Sequence, residues 1–412
     1  MKPILRAERM KPVHSDIRGP LFVEAMKRQK QGIDVLKLNT GNPATFGFGL
    51  PDSIKNALME HMQDGVGYCD FKGMPQARQA ICDYETSKGI TGITPDDVFI
   101  GNGVSEVVSF ALTPLLNDGD EVLVPSPSYS LWGNSVYLED GKPVFYTCDE
   151  KANWYPDIQD IRSKITEKTK AIVIINPNNP TGVLYPKELL LEIIQIARES
   201  GLLIFADEIY DRLVMDGKQH ISLASLTEDV PVITLNGLSK SHCLCGYRCG
   251  WMVISGPREL TEDYRQGIIQ LTSLRLCANT MAQIVIPAAL DDMETPASMI
   301  RPGGRIYEQR EATVRELEKI NGLSFVKNDA AFYVFPKLDV KKFNITNDKQ
   351  FAHDLLDATN ILLVPGSGFD WKDPDHFRIV MLPQADVLSD AIRRWEHSLT
   401  DINRNNMNIS HP

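Results

Sequence analysis

Two uninterrupted apolar runs, Ala171-Ile172-Val173-Ile174-Ile175 and Leu202-Leu203-Ile204-Phe205-Ala206, constrain this chain more than any other feature. A strand with one wet face alternates apolar and polar residues; a run without polar residues is buried on both faces. Between the two runs, Pro186 opens a stretch with Leu189, Leu190, Ile193, Ile194 and Ala197 on overlapping helical faces, and Gly201 closes it. Proline just inside the start of a helix and glycine just past its end are favoured boundaries. Strand, helix, strand, with both strands buried, predicts parallel strands covered by helices on both sides.

The alternation extends outward. Val98-Phe99-Ile100 leads to a helix expected over 105–116, and strands are expected at 121–124, 144–147, 231–235 and 251–254. Before them the spacing predicts helices over 21–31, 51–62 and 76–89, and a strand from Val35 to Asn39 that ends at the turn Gly41-Asn42-Pro43. Past about residue 290 the rhythm changes. A long charged helix over 303–320 carries few apolar positions, which suits a helix bridging two domains. Short strands near Phe325, Tyr333, Leu363 and Ile379 and helices over 351–358 and 387–397 read as a smaller α+β domain. The polar tail from Asn403 is expected to fray.

At 412 residues the chain is too long for one ordinary domain. Its net charge of −11 argues against general binding to nucleic acid or anionic membranes, while leaving room for a small cationic pocket. Seven cysteines fit no disulfide framework. Cys243, Cys245 and Cys249 lack CxxC spacing and a histidine at ligand distance in sequence, so no metal is expected. No apolar run approaches the roughly 18 residues of a membrane span, and nothing near the start resembles a signal peptide. A reduced, cytoplasmic protein is the expectation.

In open α/β sheets ligands bind at the carboxyl ends of the strands. Past Ile100 stands Gly101-Asn102-Gly103-Val104-Ser105-Glu106, whose glycines free backbone N–H groups for an anion at a helix start. It is not the dinucleotide fingerprint, since Glu106 stands where the last small residue belongs. Past Val124 comes Tyr129; past Ile175 comes Asn176-Pro177-Asn178-Asn179-Pro180-Thr181-Gly182; past Phe205 come Ala206-Asp207-Glu208-Ile209-Tyr210. Past Leu235 come Asn236-Gly237-Leu238-Ser239-Lys240 and, eight residues after the lysine, Arg248. The strand ends thus offer an anion cradle, a flat ring, an amide, a carboxylate, a phenol, a lysine and an arginine.

On these motifs, in this order, the chain resembles the class I/II aminotransferases, fold-type I enzymes dependent on pyridoxal 5'-phosphate (PLP), and within them the bacterial alanine transaminases that use glutamate. The resemblance runs from Asp16-Ile17-Arg18-Gly19-Pro20 to Asp375-His376-Phe377-Arg378-Ile379-Val380. It implies a mostly parallel seven-stranded sheet between helices in a large domain over 47–300, with 1–46 and 301–412 forming the small domain. It implies that Lys240 holds PLP as a Schiff base and then acts as general base, and that Asp207 pairs with the protonated ring nitrogen. Asn179 and Tyr210 would bond the ring's phenolic oxygen, and Tyr129 would stack on its face. Gly103, Val104, Ser105, Ser239 and Arg248 would hold the phosphate, with Tyr68 reaching the neighbouring subunit's phosphate in a homodimer with shared sites. Arg378, the Gly41 backbone and Asn179 would grip the substrate α-carboxylate. Arg18, on a mobile N-terminal segment, is the candidate for glutamate's distal carboxylate, with Arg275 the runner-up.

The expected partners are amino acids and 2-oxo acids in a ping-pong reaction between alanine and 2-oxoglutarate. Aspartate, aromatic or branched-chain aminotransferases and C–S β-lyases share the scaffold and stay open as alternatives, with a PLP-binding regulator more distant. Two departures bear on the donor: Ser15 stands where such alanine transaminases carry tyrosine, and the Ser241-His242-Cys243-Leu244-Cys245 loop is unusual.

Overall fold

The computed structural model describes residues 3–409, with side chains described through 399. Its main sheet is built from β1 (Val98–Asn102), β2 (Glu121–Ser126), β3 (Lys142–Asp149), β4 (Tyr155–Pro156), β5 (Thr169–Ile175), β6 (Leu203–Asp207), β7 (Val232–Gly237) and β8 (Cys249–Ser255), in the order β1-β8-β7-β6-β5-β2-β3-β4. Seven strands make up the body, and the two-residue β4 extends one edge. The central pairings are parallel, whereas β8 lies antiparallel between β1 and β7. This topology brings the carboxyl ends of β1, β2, β5, β6 and β7 to one side. The reversed β8 begins on that same side, so the residue before it, Arg248, arrives there too.

The apolar runs behave as their patterns require. Ile172, Ile174, Ile204, Ala206 and Val232 pack on one face, against the helix Lys187–Ser200. Ala171, Val173, Ile175, Phe205, Ile233 and Leu235 pack on the other, against α1 (Val104–Leu112). Alternate residues face opposite ways along a strand, which divides each run between two cores. Truncating one such isoleucine to alanine costs about 2–5 kcal/mol.

The chain's beginning joins its end. Leu36–Lys37 pairs in parallel with Ile361–Leu362, and Val380 N–H donates to Leu38 C=O. The expected strand over 35–39 is thus only two residues long. A separate antiparallel sheet holds β9 (Tyr333–Val334), β10 (Val364–Pro365) and β11 (Phe377–Val380), with β11 in the middle. Leu38, Leu317, Phe351, Leu355, Phe377, Ile379 and Trp395 share one core around them.

The charged helix departs from expectation. α2 (Arg305–Leu317) does not bridge through solvent: Gln309, Arg310, Thr313 and Glu316 are buried along with its apolar residues. Arg310 is covered completely and donates to Asp216 and to Asn328 C=O, so polar partners inside the protein allow polar residues to face inward. The last helix, Ala385–Ile409, outruns the expected 387–397. The tail from Asn403, expected to fray, is helical through Ile409, and its side chains lie outside the described residues. Among the described residues no single helix is long and apolar enough to cross a membrane.

Candidate active site

A cavity of about 730 Å³ opens at the carboxyl side of the sheet. Its charged lining residues are Arg18, Lys240, Arg248, Arg378 and Asp207. Four cations face one carboxylate in a protein of net charge −11. Among the described residues none of these four cations pairs with a carboxylate within ion-pair distance. Arg378 is buried and Lys240 half-buried, with Arg18 and Arg248 exposed, so the cavity presents an anion with a cationic wall.

Asp207 ends β6, 5 % exposed. The indole N–H of Trp132 donates to its Oδ2 at 3.1 Å, and the Ile209 N–H reaches its Oδ1. Burial pushes the carboxyl up to about 6, against the pull of those hydrogen bonds. Lys240 lies in the short helix Leu238–Ser241 directly after β7, and its Nζ donates to Gly41 C=O at 2.8 Å. Burial works against its ammonium. Interactions with Tyr333, Cys245 and Tyr129 act the other way, and its pKa lies above the ordinary lysine value. Gly41 must be glycine, since a Cβ there would lie 2.1 Å from the Tyr333 hydroxyl. Tyr210 and Tyr333 share a hydrogen bond between hydroxyls at 2.9 Å.

The β1 turn forms the cradle. Gly103 holds φ +83°, and a Cβ on it would meet the Arg248 guanidinium at 2.2 Å. Val104 and Ser105 open α1 beside it and line the cavity with Ser239. The first N–H groups of a helix lack partners within it. Arg248 itself sits at φ 56° and donates to the carbonyls of Cys245 and Asn102.

Arg378 extends from β11, 1 % exposed, with its guanidinium 4.6 Å from the Tyr333 ring and 4.7 Å from the Phe369 ring. Its Nη1 donates to Asn179 Oδ1 at 3.0 Å and its Nη2 to Asn39 C=O, while Nε–H has no acceptor among the described residues. Asn179 and Tyr129 line the same cavity.

Other residues fall differently from expectation. Arg275 is not part of the cavity: it is tied to Glu106 at 2.5 Å and to the carbonyls of Phe71 and Ile100. The Arg18 segment is pinned, since Asn39 Nδ2 donates to Ile17 C=O and the His14 ring bonds Asp370. Tyr68 is 84 % exposed and does not line this chain's cavity. Ser15 lines the cavity. The unusual cysteines have local roles: Cys245 Sγ donates to Ser239 C=O at 3.0 Å, and Cys243, at φ 59°, meets Met299 Sδ. All seven thiols are free. Behind Asp207, Glu208, Asp211 and His220 converge, and the Lys88 ammonium sits 2.8 Å from Glu208 and 3.1 Å from Asp211. Trp132 and Tyr333 are site residues that sequence reading missed. Each follows an ordinary packing pattern, and only the fold brings them to Asp207 and Tyr210.

These residues fit PLP. The glycine turn lets the Arg248 guanidinium, which no carboxylate neutralises, lie against the backbone at a helix start, which suits a phosphate. A buried carboxylate without a cationic partner suits a protonated ring nitrogen. A half-buried lysine between them suits an aldehyde.

The sequence profile of the family aminotransferase class I and II matches residues 33–394. The glutamate-pyruvate aminotransferase AlaA of Haemophilus influenzae is 50 % identical over 401 residues, spanning 97 % of this chain and 99 % of the relative. An aminotransferase structure from Escherichia coli matches with a TM-score of 0.95 at 47 % identity, covering 97 % of this chain and 99 % of that one. The alanine aminotransferase of Pyrococcus furiosus matches with a TM-score of 0.91 at 40 % identity, covering 96 % and 100 %.

Proposed function

We propose, of a chain that belongs to the aminotransferase class I and II family, that it transfers an amino group between alanine and 2-oxoglutarate. The observation that carries the reading is the convergence on one cavity of Lys240, Asp207 and the unpaired, buried Arg378.

PLP, when bound, supplies an electron sink for the carbanion formed at the substrate Cα. The chain does the rest. Arg378 presents its free N–H groups to the α-carboxylate as a charge-assisted pair of bonds, with Asn179 and the Gly41 backbone completing the grip. That fixes which hydrogen of Cα faces the lysine. Lys240 Nζ takes the Cα proton from the amino donor as general base and, in the second half-reaction, delivers a proton to the Cα of the acceptor. Asp207 keeps the ring nitrogen protonated: at an effective dielectric near 20, opposite charges about 4 Å apart attract by roughly 4 kcal/mol. Asn179 and Tyr210 serve the ring's phenolic oxygen, Tyr333 orients Tyr210, and Tyr129 covers the ring face. Gly103, Val104, Ser105, Ser239 and Arg248 bind the phosphate.

Arg18 takes glutamate's distal carboxylate, supported by its place in the cavity lining and its lack of a carboxylate partner. The protein acts as a homodimer in which Tyr68 reaches the partner's phosphate; the exposure of Val66, Tyr68 and Leu274, at 77 %, 84 % and 83 %, supports a covered face there. The two lobes divide at 46/47 and 300/301, a division supported by one core drawn from residues outside 47–300, though two other clusters pack across it. Steady-state rates with alanine, glutamate, aspartate, valine and tyrosine as donors test the reading. Alanine with 2-oxoglutarate ranks among the best pairs, with ping-pong kinetics; a ranking that leaves this pair out overturns the assignment.

A further inference from the structure

Asn39 sits one residue past the two-residue strand Leu36–Lys37 pair's neighbour Leu38, and it is 1 % exposed. Its backbone and side chain serve two different arginines. The backbone C=O accepts from Arg378 Nη2. The side-chain Nδ2 donates to Ile17 C=O at 2.7 Å, and Ile17 immediately precedes Arg18. Arg18 and Ile17 belong to a tight turn at 16–19, closed by Gly19 N–H to Asp16 C=O at 3.3 Å. The turn is wedged: a Cβ on Gly19 would come within 2.8 Å of Ser15 C=O, and one on Gly368 within 2.8 Å of Asp16 Cβ. Its far side is fastened as well. Asn134 accepts from His14 N–H at 3.1 Å and donates to His14 C=O at 2.5 Å, while Lys349 pairs with Asp16 at 3.0 Å.

We propose that Asn39 is a positioning residue that fixes the spacing between Arg378 and Arg18, so that the two arginines measure the distance between the carboxylates of a five-carbon dicarboxylate substrate and discriminate against a four-carbon one. The proposal rests on the reading that Arg18 takes the distal carboxylate. Arg18 has a long, flexible side chain, so its reach is set by where its backbone is anchored. Asn39 anchors that backbone to the same segment that holds Arg378. Freed from Asn39, the turn can follow shorter substrates and must be ordered anew by longer ones.

The asymmetry of Asn39 makes the test selective. Asn39→Ala removes the bond to the Arg18 turn and keeps the carbonyl that Arg378 uses. The KM for glutamate then rises about tenfold, the change one lost hydrogen bond supports, and at least fivefold more than the KM for alanine. The preference for glutamate over aspartate in kcat/KM narrows by a similar factor, and kcat changes little. Asn134→Ala, which loosens the same turn from its other side, shifts the same ratios. Independently of activity, trypsin cuts the Arg18–Gly19 bond faster in Asn39→Ala than in the parent protein. Parallel rises in KM for alanine and glutamate in both variants, or unchanged cleavage at Arg18, overturn the proposal. Arg18→Ala separates the two readings. If it penalises glutamate selectively and Asn39→Ala does not, the spacing role falls while the Arg18 assignment stands. If it spares glutamate, the Arg18 assignment falls and this inference with it.

Discussion

Replacing Arg378 by alanine isolates the grip on the substrate's α-carboxylate. The guanidinium has five N–H donors; one goes to Asn179 Oδ1, one to Asn39 C=O, and Nε–H is among those left for a ligand. A carboxylate accepting two parallel bonds gains about 1.5–3 kcal/mol from each. Losing both costs roughly 3–6 kcal/mol of transition-state binding, a fall of about 10²- to 10⁴-fold in kcat/KM. Because every amino acid and 2-oxo acid carries this carboxylate, the loss must be nearly equal for alanine, glutamate, pyruvate and 2-oxoglutarate. Arg378→Lys keeps the charge and loses the fork, so it retains part of the binding and falls between the two. The assay is steady-state kcat/KM for all four substrates, beside PLP titration to show that the cofactor still binds. A loss confined to glutamate and 2-oxoglutarate would refute the reasoning, since it would make Arg378 the distal group.

Other outcomes follow from the same geometry. Asp207, raised from 3.8 to about 6 by burial, favours its protonated form in the ligand-free fold, so its contribution to stability is complete below pH 3.8 and lost as pH rises through about 6. That shift amounts to about 3 kcal/mol, of which roughly half is lost between pH 5 and pH 8. Urea midpoints of PLP-free Asp207→Asn should therefore gain on the parent protein as pH rises; a gain on acidification would contradict the assigned burial. Gly103→Ala sets a Cβ against Arg248 at a φ of +83°. It should weaken PLP binding by about tenfold or more in a fluorescence titration, and unchanged affinity would remove the cradle from the phosphate site.

How much of this was readable from sequence depends on where each residue sits. Asp207 closes the apolar strand β6, and Asn179 and Lys240 stand in the segments that follow the apolar strands β5 and β7, so a run of apolar residues announces each position. Tyr333 and Trp132 give no such signal. Tyr333 lies in a two-residue strand of another sheet and reaches Tyr210 across 123 positions, and Trp132 reaches Asp207 across 75. Arg275 was an open candidate because a lone arginine carries no mark of its partner, and Glu106 proves to be that partner. The helix Arg305–Leu317 misleads for the opposite reason: Arg310 and Glu316 look solvent-facing by composition, yet both are buried, Arg310 against Asp216 and Glu316 against the exposed Lys319.

The central claim is that Lys240 is the residue that carries the cofactor. Borohydride reduction of the PLP-loaded protein, followed by peptide mass mapping, tests it directly. A single phosphopyridoxyl group is expected on the peptide containing Lys240, and none on the Lys240→Ala protein. A label on another lysine, or an unlabelled Lys240 in a protein that still turns over substrate, would contradict it.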